Sequence, residues 1–160
     1  MKIVVNIAGQ RLDLLDDNGM PLRSWPVSTA ANGPGEESGS GCTPRGRHVI
    51  RAKIGAGMPL NTVFIGRRPT GEIYSPELGE FEPERDWILS RILWLSGKEP
   101  GINRLGCQDS MRRYIYIHGT PDEHFAPEPL SHGCIRMRNA DLVELFDLVP
   151  AYTEVEIREA

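Results

Sequence analysis

Cys134 lies in the run Ser131-His132-Gly133-Cys134-Ile135-Arg136-Met137, two residues after one histidine and sixteen after another, His118. His118 closes the apolar run Tyr114-Ile115-Tyr116-Ile117. A thiol is a weak nucleophile until it loses its proton, and a neighbouring imidazole is the usual means of taking that proton. The separation lets a strand end, a loop cross a cleft and the chain return, so His118 can face Cys134 in space. The composition around Cys134 is polar and flexible, unlike the apolar setting of a structural core cysteine. Cys42 and Cys107 have no histidine near them in sequence and read as structural thiols.

The surrounding residues suggest auxiliary roles. Gly133 lets the backbone approach closely or adopt positive φ. The N–H groups of Gly133 and Cys134 are therefore candidates to hold the oxyanion of a tetrahedral intermediate. For His118 to act as a base, one ring nitrogen must be held by an acceptor that fixes the tautomer. A carbonyl near Gly119 or the Asp122 carboxylate would serve, and the sequence does not choose between them. Arg136 can clamp a carboxylate with its planar fork, although an isolated arginine is more often a solvated surface group. A rival reading gathers His118, His124, His132 and Cys134 around zinc, but their spacing fits no zinc pattern. No metal or cofactor is expected.

The composition bounds the rest. The 160 residues suffice for one domain, expected to span 1–160, with a core that needs no staples. Seventeen Gly and 13 Pro point to many turns and a strand-rich fold. A net charge of −4 lacks the basic footprint of a nucleic-acid binder. Three cysteines at irregular spacing are no disulfide framework. The opening residues lack the apolar stretch of a secretory signal, and no run approaches the length of a membrane span. A cytoplasmic location is the expectation.

Strands are expected at 2–7, 10–15 and 20–28, with the Asp16-Asp17-Asn18-Gly19 turn making a meander. Further strands are expected at 48–54, 62–65, 87–95, 113–117 and 153–158. Residues 67–83 read as irregular apart from a short piece at 72–74. Asn139 to Val149 reads as a helix with Asn139 as N-cap and an apolar stripe of Leu142, Val143, Leu145, Phe146 and Val149.

Ile117-His118-Gly119 followed by Ser131-His132-Gly133-Cys134-Ile135-Arg136-Met137 resembles the signature of the YkuD-type L,D-transpeptidase catalytic domain. Thr43-Pro44-Arg45-Gly46-Arg47-His48-Val49-Ile50 is similar to that family's Thr-Pro-x-Gly turn and following strand, and Trp25-Pro26-Val27-Ser28 to its opening strands. The resemblance implies a mainly β, YkuD-like β-sandwich with one helix after the catalytic cysteine loop. It implies Cys134 as nucleophile, His118 as base and Gly119 as the orienting carbonyl. Ser131, His132 and Gly133 would lie at oxyanion and substrate positions, and Arg136 would meet a carboxylate. The implied substrate is a peptidoglycan tetrapeptide stem or muropeptide, cleaved between meso-diaminopimelate and terminal D-Ala through a thioacyl-enzyme that carbapenems also form. With a cytoplasmic location, water is the expected acceptor, giving an L,D-carboxypeptidase of peptidoglycan recycling. The alternative is an L,D-transpeptidase working outside the cytoplasm.

Overall fold

A short apolar run, Ile3 to Val5, and then alternating residues at 11–15 shape the opening of the chain. In the computed structural model, which describes residues 1–160, β1 (Lys2–Asn6), β2 (Arg11–Leu15) and β3 (Pro21–Pro26) form an antiparallel meander. Leu12, Leu14 and Trp25 point inward while Arg11 and Arg23 stay outside. The turn between β2 and β3 is held by Asp16, whose Oδ1 accepts from the backbone N–H of Asn18 and of Met20.

The remaining strands are β4 (Gly46–Ile54), β5 (Thr62–Ile65), β6 (Arg68–Ile73), β7 (Ile88–Gly97), β8 (Tyr116–Thr120), β9 (Ile135–Arg138) and β10 (Glu154–Arg158). All ten belong to one curled sheet. The last strand, β10, inserts parallel to β1 and antiparallel to β4. The hub is β7. One of its edges carries β4 and then β5, and the other carries β8. Strand β9 runs parallel to β8, with Ile117 opposite Ile135 and His118 opposite Arg136. The curl closes just past β3, where Ser28 and Arg136 exchange backbone hydrogen bonds of 2.9 and 2.8 Å.

An apolar core of 20 residues fills the curl, including Ile3, Leu12, Leu93, Ile117, Ile135 and Met137. Helix α2 (Asn139–Leu148) seals it with Leu142, Leu145 and Phe146. Each such side chain contributes roughly 1.5–3 kcal/mol relative to exposure. Lys53 Nζ donates to the carbonyls of Phe146 and Val149, both at 2.7 Å, satisfying the helix's C-terminal end.

Four local expectations change. Residues 67–83 hold β6 and a short helix, α1 (Pro76–Phe81), capped by Ser75; strand pairing with β5 orders a stretch that its prolines and glycines suggested was irregular. Strand β8 begins at Tyr116 and runs through His118 to Thr120, because Arg113 and Tyr114 form a turn. The N-cap of α2 is Arg138, and Asn139 is its first residue, drawn inward by buried hydrogen bonds. Finally, Ile135–Arg138 is a strand whose Ile-Arg-Met-Arg alternation is too short to announce it.

His48 is wholly buried, with Nδ1 3.1 Å from the Gly46 carbonyl oxygen and Nε2 2.8 Å from Ser110 Oγ. Burial pulls its pKa down to about 4. The unfolded chain then binds a proton that the folded protein rejects, so acid favours unfolding. Stability should be flat above pH ~6.5 and fall by about 1.4 kcal/mol per pH unit toward 4, roughly 3 kcal/mol in all from this residue. Buried His118 adds to the same slope. Urea denaturation from pH 4 to 7.5 should show this loss, with a shallower slope for His48→Gln; an unchanged slope would refute the assignment.

Candidate active site

The parallel register of β8 and β9 gathers the site. Side chains two apart on a strand share a face, so Tyr116 and His118 project together. Arg136 is set against His118, and Cys134, one residue before β9, is set against Tyr116. The Tyr116 N–H donates to Cys134 Sγ at 3.3 Å, and Sγ lies 3.3 Å from the Tyr114 carbonyl oxygen, to which the thiol donates. Tyr114 holds this carbonyl with a left-handed backbone, φ 57°. Cys134 and His118 line one cleft of about 290 Å³ together with Arg67, Asp86, Tyr116, His132 and Arg136. No hydrogen bond joins thiol and imidazole in this arrangement.

His118 is buried, and its Nδ1 lies 2.6 Å from the carbonyl oxygen of Gly119. A carbonyl only accepts, so Nδ1 carries the hydrogen and Nε2 keeps a free lone pair. Gly119 chooses between the two acceptors weighed from sequence: Asp122 Oδ1 instead accepts from the backbone and side-chain N–H groups of Asn139. Only glycine fits at 119, because a Cβ there would collide with Asn139 Oδ1 and sit 2.5 Å from the Leu89 carbonyl oxygen. Asn139 is itself fixed by Ser90 Oγ (2.6 Å) and the Thr120 carbonyl (2.8 Å).

Burial sets the protonation states. It lowers the His118 pKa below the ordinary histidine value and pushes the Cys134 thiol up to about 12. Both shifts disfavour charge, so the resting site holds a neutral thiol and a neutral imidazole.

The loop before Cys134 is pinned from three sides. Ser131 Oγ donates to the Cys134 carbonyl at 2.6 Å and accepts the Gly133 N–H at 3.2 Å. Thr43 Oγ1 donates to the Gly133 carbonyl at 2.9 Å. Gly133 has φ 133°, and a Cβ there would press within 3.2 Å of the Cys42 carbonyl oxygen, which Arg113 Nη2 holds at 2.6 Å. The Gly133 N–H is therefore engaged, whereas the Cys134 N–H has no acceptor within the protein. Of the two sequence candidates for oxyanion donor, Cys134 is the one left free.

Arg136 Nη2 donates to Asp86 Oδ1 at 3.0 Å and Nη1 reaches the Leu130 carbonyl at 3.5 Å. His132 is exposed, with Nδ1 3.6 Å from Asp86 Oδ2. His124 lines a separate cleft beyond Asp86, and no cluster of His, Cys, Asp or Glu is placed to hold a metal. The sequence reading missed Asp86, Arg67, Arg113 and Tyr116. Tyr116 was within reach of it, standing two residues before His118 on the same strand face. Asp86 and Arg67 come from distant segments and leave no local signal, and Arg113, in the turn just before β8, acts through the Cys42 carbonyl on a loop far from it in sequence.

The model of the YkuD family, the L,D-transpeptidase catalytic domain, matches residues 1–157. The chain belongs to the YkuD family. This is a family of peptidoglycan-related enzymes that act on peptide stems. Its fold recurs in solved L,D-transpeptidases. The one from Xylanimonas cellulosilytica is 19% identical with a TM-score of 0.55, covering 98% of this chain and 59% of its own. The one from Mycobacterium smegmatis is 18% identical with a TM-score of 0.54, covering 98% and 57%. L,D-transpeptidase 3 from Mycobacterium tuberculosis is 16% identical with a TM-score of 0.58, covering 98% and 60%; it has also been solved with a faropenem-derived adduct. This YkuD chain thus spans under two thirds of the length of these structures. No curated protein matches it.

Two outcomes test the geometry. Alkylation of Cys134 by iodoacetamide in the free protein should climb steadily with pH through the alkaline range; a plateau at neutral pH would reveal a thiolate–imidazolium pair instead. Gly119→Ala should lose about 1–3 kcal/mol of stability through overpacking and misplace the His118 ring, read as a lower urea midpoint and lost thiol chemistry together.

Proposed function

We propose that this chain is a cysteine acyl-transfer enzyme that removes the terminal D-Ala from peptidoglycan tetrapeptide stems, with water as final acceptor. The observation that carries the reading is His118, locked by the Gly119 carbonyl so that a neutral Nε2 is free in the cleft that holds the Cys134 thiol. Family membership supplies the substrate class.

The steps follow from the geometry. A χ1 rotation at Cys134 exchanges the Tyr114 carbonyl for the imidazole. His118 Nε2 takes the thiol proton as Sγ bonds to the diaminopimelate carbonyl carbon. The oxyanion that forms meets the Cys134 N–H. Collapse breaks the carbon–nitrogen bond, and His118 returns its proton to the departing D-Ala amine. Water then attacks the thioester with His118 again as base; the carbon–sulfur bond breaks, and the thiol regains a proton.

The cleft supports hydrolysis. At about 290 Å³ it stands at the lower end of small-molecule sites, roughly 300–1,000 Å³. Asp86, Arg136 and His132 divide it from the neighbouring cleft, which Cys134 does not line. A small acceptor such as water suits a cleft of this size. Trimming of soluble muropeptides in the cytoplasm, during peptidoglycan recycling, suits that reaction. The second reading, an L,D-transpeptidase that passes the acyl group to an amine, is favoured by the description of the family and by the solved neighbours.

Mass spectrometry of the protein with free tetrapeptide, with and without excess acceptor amine, decides between them. Tripeptide and D-Ala in both reactions are expected; exchange product or dimer dominating would favour the second reading. Cys134→Ser should lose nearly all turnover, since a hydroxyl is far less acidic than a thiol. His118→Gln should lose about 10²–10⁴-fold. Because His118 must be neutral and its pKa is lowered, the acid limb of kcat/KM should fall below pH ~6.5, the ordinary histidine value. A limb at or above that pH would contradict the assignment. A carbapenem should add its mass to Cys134 in the wild type and not in Cys134→Ser.

A further inference from the structure

Strands β5 and β6 are joined by Gly66 and Arg67, both with left-handed backbones (φ 57° and 65°). Such two-residue turns ordinarily take glycine, asparagine or aspartate, since a long side chain at positive φ is strained. Here an arginine occupies the second position, and its side chain reaches into the thiol cleft.

The guanidinium is held in place from three sides. It lies 4.9 Å from the Trp94 ring centroid and 4.7 Å from that of Tyr114, and Nη1 donates to the Tyr116 hydroxyl at 3.1 Å. Stacking of this kind fixes the fork with little loss of freedom on binding. No carboxylate neutralises it; its side-chain hydrogen bond goes to a neutral phenol, and most of its five N–H donors remain unused. Arg136 is different, because Asp86 already balances it. Arg67 is thus the unneutralised cation of the cleft, oriented and partly desolvated, and Tyr116 links it to the nucleophile: the hydroxyl of Tyr116 meets Arg67 and its backbone N–H meets Cys134 Sγ.

We propose that Arg67 receives the free α-carboxylate of the leaving D-residue and so restricts the enzyme to peptides with an unblocked C-terminus. This rests on the acyl-transfer reading above, in which the scissile carbonyl must sit at Sγ. The carboxylate of a C-terminal residue lies just beyond that carbonyl, and Arg67 lines the same cleft as Cys134, with Tyr116 touching Sγ through its backbone N–H and the guanidinium through its hydroxyl. It transfers to Arg67 the carboxylate contact that the sequence resemblance implied for Arg136.

The test compares the tetrapeptide acid with its C-terminal carboxamide in the wild type, Arg67→Gln and Arg67→Lys. The wild type should favour the acid by about 10–100-fold in kcat/KM, as a charged hydrogen-bonded pair provides. Arg67→Gln should erase most of that preference, raising KM for the acid more than it lowers kcat, and Arg67→Lys should keep part of it. Retention of the preference in Arg67→Gln, or an equal loss on both substrates, overturns the proposal. A second readout does not depend on turnover. The ratio of iodoacetate to iodoacetamide alkylation at Cys134, followed by peptide mass spectrometry, should drop in Arg67→Gln relative to wild type. An unchanged ratio overturns Arg67 as the anion receptor. If the wild type releases no D-residue from the tetrapeptide, the acyl-transfer reading fails by itself while this ratio still decides the fate of Arg67.

Discussion

The ladder between β8 and β9 is the constraint on which the site depends. Its register sets Arg136 against His118 and places Cys134 beside Tyr116, so two segments far apart in sequence present their reactive groups on one face. A slip of one residue would turn every one of these side chains to the other face. Register is protected on both flanks. Strand β8 is also bound to β7, and β9 is tied to Ser28 where the curled sheet closes. On the opposite face Ile117 and Ile135 enter the core, so a slip would also expose two fully buried side chains.

The same burial that fixes this geometry sets its chemistry. His118 is enclosed, which keeps the imidazole neutral, and the Gly119 carbonyl decides which nitrogen carries the hydrogen. Cys134 is held as a thiol, bonded to Tyr114. A neutral pair suits the acyl transfer proposed above, because a standing thiolate would also meet oxidants and stray electrophiles. Charge in the cleft is confined to its walls, with Asp86 against Arg136 on one side and Arg67 over the aromatic cluster on the other.

Two glycines explain how backbone enters the chemistry. Gly119 exists because the buried amide of Asn139 and the Leu89 carbonyl leave no room for a side chain. Gly133 adopts a backbone that residues with a Cβ rarely visit, and the loop it shapes is then held by Ser131, Thr43 and Arg113. The freedom of the Cys134 N–H is a consequence of that loop, since Ser131 takes up the neighbouring amide.

The sequence alone determined the parts that are local. The polar run around Cys134 marked it apart from Cys42 and Cys107, and the Ser-His-Gly-Cys motif with an upstream His-Gly carried the family resemblance. A short apolar run gave β1, residues sharing a face gave β2 and β3, and helical periodicity gave α2 within a residue of its ends. What only the tertiary structure decided is non-local. Asp86, Arg67 and Arg113 reach the site from the segment before β7, the β5–β6 turn and the turn before β8, and no spacing in the chain announces those meetings. Asn139 reads as a helix cap in sequence but becomes a buried strut once β7 and β8 are beside it. The protonation states were likewise beyond the sequence, because they follow from desolvation, which exists only after the chain has closed around the groups concerned.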